Sequence, residues 1–181
     1  MKIGVFCSAN SQIDPDFFTL TQQFGEWIGQ HHHTLVYGGT DLGLMDCIAH
    51  AVADNGGKVV GVVPALLLEN EHANPIDHER LLCTTLSERK QLMTDNSDVL
   101  VALPGGIGTL DEVFTVAGEG TLAYHDKKVI LYSMKGFWDE LESFFQNLQQ
   151  QGFIRGDYGQ RIAFAHNFEE LVSFLNLVGR V

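Results

Sequence analysis

The chain is short of cations, of cysteine and of long hydrophobic runs, and each shortage closes off a class of function. Only 11 Lys and Arg stand against 23 Asp and Glu, for a formal net charge of -12. A general grip on phosphate backbones needs clustered Lys and Arg, so no nucleic acid polymer is expected as a partner. A small phosphorylated ligand needs only a few local donors and stays open. Cys7, Cys47 and Cys83 are odd in number, far apart and free of any Cys-x-x-Cys pair, which argues against a zinc ribbon and a disulfide framework. No apolar run approaches membrane-spanning length, and the start MKIGVFC lacks the apolar core of a signal peptide. A cytoplasmic protein without a membrane partner is the expectation.

What is present is ordinary globular material: 181 residues, 45% hydrophobic and 19% charged, enough for one domain over residues 1–181 with a sizeable core. Five short β-branched runs read as strands: Lys2–Cys7 and the segments starting at Thr34, Lys58, Asp98 and Lys128. They alternate little, as expected of strands covered on both faces. Between them, helical spacing aligns Phe17, Leu20, Phe24, Trp27 and Ile28; then Met45, Ile48, Ala49 and Val52. Later sets are Phe137, Leu141, Phe144, Phe145 and Leu148, and finally Phe168, Leu171, Val172 and Leu175. The alternation predicts an α/β fold, a Rossmann-like doubly wound parallel sheet with helices on both faces. Ala65–Arg80 is the least regular stretch, either a loop on the ligand side or a long surface connection.

Ligands of such sheets bind where strands end and helices begin. Two glycine-rich turns fall there. In YGGTDLGLMD, Tyr37 to Asp46, Gly38 and Gly43 are spaced like a P-loop, but Leu44-Met45 replaces the required Lys-Ser/Thr. In PGGIGTLDE, Pro104 to Glu112, Asp111 follows where a dinucleotide fingerprint needs a third glycine. Both standard nucleotide motifs therefore fail, while the physics of a phosphate cradle survives. Gly105, Gly106 and Gly108 allow a tight turn with exposed N–H groups, and Thr109 opens a helix whose dipole favours an anion. On that helix Leu110, Val113, Phe114 and Ala117 share the apolar phase, which leaves Glu112 off the stripe and near the anion site. A tight turn whose glycines serve packing alone fits the same pattern. The preceding helix, TLSERKQLM, bears on that choice: Leu86 and Met93 lie on one face with Arg89 and Lys90 between them. Such cations either snorkel or turn inward toward an anion, whether Glu112 or a ligand phosphate.

PGGIGTLDE, SERKQLM and YGGTDLGLM together resemble the PGGxGTxxE, xxRK and YGGxxxGLM segments of the LOG (lonely guy) family of cytokinin-activating phosphoribohydrolases. Order and spacing agree from the first strand to about Lys135. The resemblance implies hydrolysis of the N-glycosidic bond of a nucleoside 5′-monophosphate, AMP or an N6-modified adenine nucleotide, to free base and ribose 5-phosphate. It implies Arg89 and Glu112 as catalytic residues. Substrate and phosphate binding would fall to Gly105, Gly106, Gly108, Thr109, Lys90, Gly39 and Met45. It further implies a homodimer and no cofactor or metal. Arg89 could hold the phosphate or orient Glu112. This chain departs from the family in VAGEGTLAYHDK, which stands where many members carry Thr-Trp-x-Gln. Leu86 replaces the usual methionine and Thr40 a common third glycine. A related class, the molybdenum-cofactor carriers, provides the non-catalytic alternative.

Overall fold

A computed structural model describes residues 1–65 and 72–178. Seven strands form one all-parallel sheet: β1 (Lys2–Phe6), β2 (Thr34–Tyr37), β3 (Lys58–Pro64), β4 (Glu79–Cys83), β5 (Val99–Ala102), β6 (Val129–Tyr132) and β7 (Ile162–Ala165). Their order is β4-β3-β2-β1-β5-β6-β7. β1 pairs with β2 on one side and with β5 on the other, Ile3 lying opposite both Leu35 and Val99. The chain thus winds outward in both directions from β1, and the crevice beyond the ends of β1 and β5 is the switch point of the sheet.

Among the described residues, six α-helices cover the sheet: α1 (Pro15–Gln30), α2 (Gly43–Asp54), α3 (Leu86–Asp95), α4 (Ile107–Thr121), α5 (Asp139–Gln150) and α6 (Phe168–Val178). Successive strand side chains face opposite ways, so the strands divide their residues between two cores. Ile3, Val5, Leu35, Tyr37, Val99 and Val101 pack with α1, α2 and α6 through Phe24, Ile28, Ile48, Val52, Leu171 and Leu175. Val36, Leu100, Ala102 and Leu131 pack with α3, α4 and α5 through Met93, Val113, Val116 and Phe145. The doubly wound arrangement expected from the strand-helix alternation is present.

Several local expectations are corrected. β4 and β7 add two strands to the five expected, and both are edge strands. Four of the five β4 residues are exposed or half-buried, and β7 is only four residues long. Phe144 is 54% exposed rather than part of the buried face of α5, and Phe137 lies before that helix begins. Leu86 is 66% exposed: it opens α3, ahead of the point where Met93 enters the core. Residues 66–71 of the irregular Ala65–Arg80 stretch lie outside the described residues. Among the described residues, no helix is long and apolar enough to cross a membrane.

Candidate active site

Two helix starts show how local sequence shapes the crevice. At α3, Thr85 caps the helix by accepting from the Glu88 N–H at 3.1 Å, while the Glu88 carboxylate accepts from the Thr84 N–H at 2.8 Å. That start is closed by its own side chains. At α4 the cap is Gly106, with no side chain to accept from the first turn. α4 begins at Ile107, two residues earlier than Thr109 as read from the sequence, so Ile107, Gly108 and Thr109 supply its first N–H groups. Those donors and the dipole form an anion site open to a ligand.

The glycines differ in what they do. A Cβ on Gly105 would stand 2.1 Å from Thr109 Oγ1, so the threonine hydroxyl folds back over the turn. A Cβ on Gly106 or Gly108 would meet nothing within 4 Å, which leaves their surface free for close approach. We expect Gly105→Ala to push Thr109 aside and raise KM for a phosphorylated substrate about tenfold with little change in kcat. Steady-state kinetics would check this.

About one turn into α4 from the cradle lies Glu112, with Arg89 of α3 beside it. Glu112, expected off the apolar stripe and near the anion site, is only 7% exposed and so is buried on α4. Arg89 Nη1 stands 3.9 Å from Glu112 Oε1. That is electrostatic contact without a hydrogen bond. Arg89 Nε is buried and has no protein partner among the described residues, so one guanidinium donor is left for something else. Desolvation pushes the Glu112 carboxyl up to about 7, against the opposing field of Arg89. A carboxyl poised near neutrality in a crevice is suited to proton transfer or charge stabilisation.

Arg89 is seated by the turn after β2. A Cβ on Gly38 would fall 1.6 Å from Arg89 Nη2 and 3.1 Å from Met45 Sδ. The guanidinium therefore lies directly on Gly38, beside the Met45 thioether. Gly39 has φ +73 and its would-be Cβ is 2.5 Å from Val63 Cγ2, so only glycine turns the chain there. The turn joins the rest of the crevice through the loop after β1. The Leu44 N–H donates to Ser8 O at 2.9 Å, and the Ser8 N–H donates to Pro104 O at 3.1 Å.

The structure thus brings together Gly38, Gly39, Met45, Arg89, Gly105, Gly106, Gly108, Thr109 and Glu112. Lys90 is turned elsewhere: its ammonium donates to Asp111 Oδ2 at 2.8 Å and to Thr115 Oγ1 at 2.9 Å. Asp111 serves this tie between α3 and α4 rather than the helix start. Cys7 is buried near the pair. Burial first, then the neighbouring Glu112, pushes its thiol well up, which keeps it a neutral packing group. The His31–His33 run is used in packing, with His31 4.5 Å from the Trp27 ring and His33 Nδ1 3.3 Å from the Met1 amine. Sequence reasoning missed Asn74, which is wholly buried and donates through its N–H to Gly39 O at 2.9 Å.

A family model described as "Possible lysine decarboxylase" matches residues 45–175. The chain is 33% identical over 168 residues to a cytokinin riboside 5′-monophosphate phosphoribohydrolase of Mycobacterium tuberculosis, covering 93% of this chain and 89% of that one. It is 36% identical over 171 residues to a probable enzyme of the same name from Oryza sativa subsp. japonica, covering 94% and 77%. Among solved structures, the molybdenum cofactor binding protein of Rippkaea orientalis superposes with a TM-score of 0.75 at 21% identity, over 98% of this chain and 96% of that one. The molybdenum cofactor carrier protein of Chlamydomonas reinhardtii gives 0.75 at 22%, over 99% and 98%. At these identities the structural likeness speaks for the fold alone. As for the decarboxylase description, the crevice does not fit a pyridoxal Schiff base. The side chain of Lys90, the lysine beside the pair, is engaged by Asp111 and Thr115.

Proposed function

The chain belongs to this family, described as possible lysine decarboxylases and including named nucleotide phosphoribohydrolases, so it is an N-glycosyl hydrolase, and we propose that its substrate is AMP or an N6-modified adenine 5′-monophosphate. The observation that carries this reading is an uncapped glycine-rich helix start followed, about one turn along the same helix, by a buried carboxyl poised near neutrality and faced by Arg89.

The substrate phosphate sits on the first N–H groups of α4, with Thr109 Oγ1 as a further donor. Glu112 is one turn further along the same helix, so a ribose attached to that phosphate reaches toward the carboxylate. As the bond from C1′ to the base nitrogen breaks, the sugar takes on oxocarbenium character, and an ionised Glu112 stabilises that charge. The same carboxylate then takes a proton from the water whose oxygen bonds to C1′ and passes it to the nitrogen of the departing base, so that one water is divided between the two products. Arg89 offers its unused Nε–H to the phosphate or a ribose oxygen while its charge favours ionised Glu112. Lys90 acts by tying α3 to α4 and adds positive field.

Glu112 must be ionised for this, so kcat/KM should rise with pH along an acid limb centred near 7. A limb below about 5 would place the essential base elsewhere. Incubation with AMP and isopentenyladenosine monophosphate, with products resolved by chromatography, tests the function itself. Free base and ribose 5-phosphate are expected. Intact nucleotide despite binding would instead favour a carrier, and a copurified pterin chromophore would identify it as one of the molybdenum-cofactor class. The proposed homodimer draws support from Leu82, Leu86 and Ile107, three apolar side chains 61%, 66% and 88% exposed on and around α3 and the start of α4. Sedimentation equilibrium should give the mass of two chains, and a mass of one chain would overturn it.

A further inference from the structure

Asn74 lies in the connection between β3 and β4, yet it is 0% exposed and every polar group it owns is engaged. Its N–H donates to Gly39 O at 2.9 Å. Its Nδ2 donates to Asp46 Oδ1 at 3.0 Å and to Thr40 O at 3.4 Å. Its Oδ1 accepts from the Ile76 N–H at 3.2 Å, and its carbonyl accepts from Arg80 Nη2 at 2.6 Å. A second layer backs the first. Arg80 Nε donates to Asp77 Oδ2 at 3.3 Å, and the buried Tyr37 hydroxyl donates to Asp77 Oδ1 at 2.8 Å. The Asp77 carboxylate occupies the space over Gly61, where a Cβ would come within 2.2 Å of Oδ2.

Such a network could serve only to fasten an irregular connection. Where its bonds end argues for more. Three of them fall on the carbonyls of Gly39 and Thr40 and on Asp46, and so bracket Gly38, on which Arg89 lies, and Met45, which lies beside Gly38. We propose that Asn74 is a positioning residue for the Arg89–Glu112 pair, acting through the turn after β2. The inference rests on the phosphoribohydrolase reading for its catalytic consequence but not for its geometry.

Two variants test it, Asn74→Ala and the exchange Asp46→Asn with Asn74→Asp, which keeps the total charge and one hydrogen bond between the two positions. The readouts are kcat and KM for AMP, the melting temperature, and the titration midpoint of the Glu112 carboxyl by NMR without substrate. The charged and titratable groups around Glu112 are Arg89 and Lys90 from α3, Asp111 from its own helix and Cys7 from the end of β1. In Asn74→Ala, kcat should fall about tenfold while KM stays within about threefold, because the cradle on α4 is untouched. The Glu112 midpoint should move upward as Arg89, the strongest charge holding it down, withdraws. The exchange should restore both.

A lower melting temperature with kcat and midpoint unchanged would reduce Asn74 to a fastening and overturn the proposal. An exchange as impaired as Asn74→Ala, with the volume at position 74 and its bond to position 46 both kept, would show that this bond does not set the pair and overturn it equally. If Asn74→Ala does not fold, Asp46→Ala removes one of the bonds from a half-buried helix position and is read in the same way. No turnover by the unaltered protein would sink the phosphoribohydrolase reading, and the titration would still decide the positioning role.

Discussion

Glu112→Gln is expected to lower kcat for a nucleoside 5′-monophosphate by about 10³-fold, with nucleotide binding nearly unchanged. The amide keeps the shape of the carboxyl but can neither stabilise a positive sugar nor take a proton from water. The same variant should change how stability depends on pH. The folded carboxyl titrates near 7 and the unfolded one near 4.5, so between those values the folded chain holds a proton that the unfolded chain has released. Stability from this group is complete below the unfolded value and is lost as pH rises through the folded one. The loss amounts to roughly 3 kcal/mol, and it should vanish from the Glu112→Gln profile. Denaturant titrations of both proteins across that range would measure it. Parallel profiles would mean that Glu112 is ionised throughout, and the acid limb of activity would need another owner.

Gly38→Ala should cost about 10²-fold in kcat/KM while leaving the melting temperature within a few degrees. The added methyl meets the end of a flexible side chain at 1.6 Å, not backbone, so Arg89 moves and the fold need not. Gly38 shows no left-handed φ, so alanine adds no backbone strain. Displacing Arg89 removes both its field on Glu112 and its free donor, and Arg89→Ala should match the loss. If Gly38→Ala were fully active, the guanidinium would not be needed in the place the structure shows.

Much of this is legible in the sequence, for identifiable reasons. β1, β2, β3 and β5 read clearly because both their faces are buried and their apolar runs are nearly unbroken. The edge strands do not, since β4 mixes Glu79 and Arg80 with half-buried or exposed leucines and carries no clean period. The cradle glycines, Thr109, Arg89 and Glu112 can be picked out because helix starts and inward cations follow local rules. The tie from Lys90 to Asp111 and Thr115 cannot, because it depends on how α3 and α4 cross, at a separation of 21 and 25 residues. Asn74 is more elusive still. Its sequence neighbours look like a surface connection, and its role arises only from a fold that lays that connection over the distant turn holding Gly39.

The central position of β1 has a consequence for the order in which this protein is made. β1 must wait for a partner that emerges far later, since Ile3 pairs with Val99 and Phe6 with Ala102. At roughly 5–20 residues per second, β1 spends several seconds with one edge unpaired during synthesis. Glu112 and the cradle emerge later than that partner, so no nascent fragment that ends before α4 can recruit nucleotide to hold itself together. Ligand can rescue a weakened chain only after the crevice is complete, and substitutions that slow the meeting of β1 with β5 should reduce yield more than they reduce the stability of the finished enzyme.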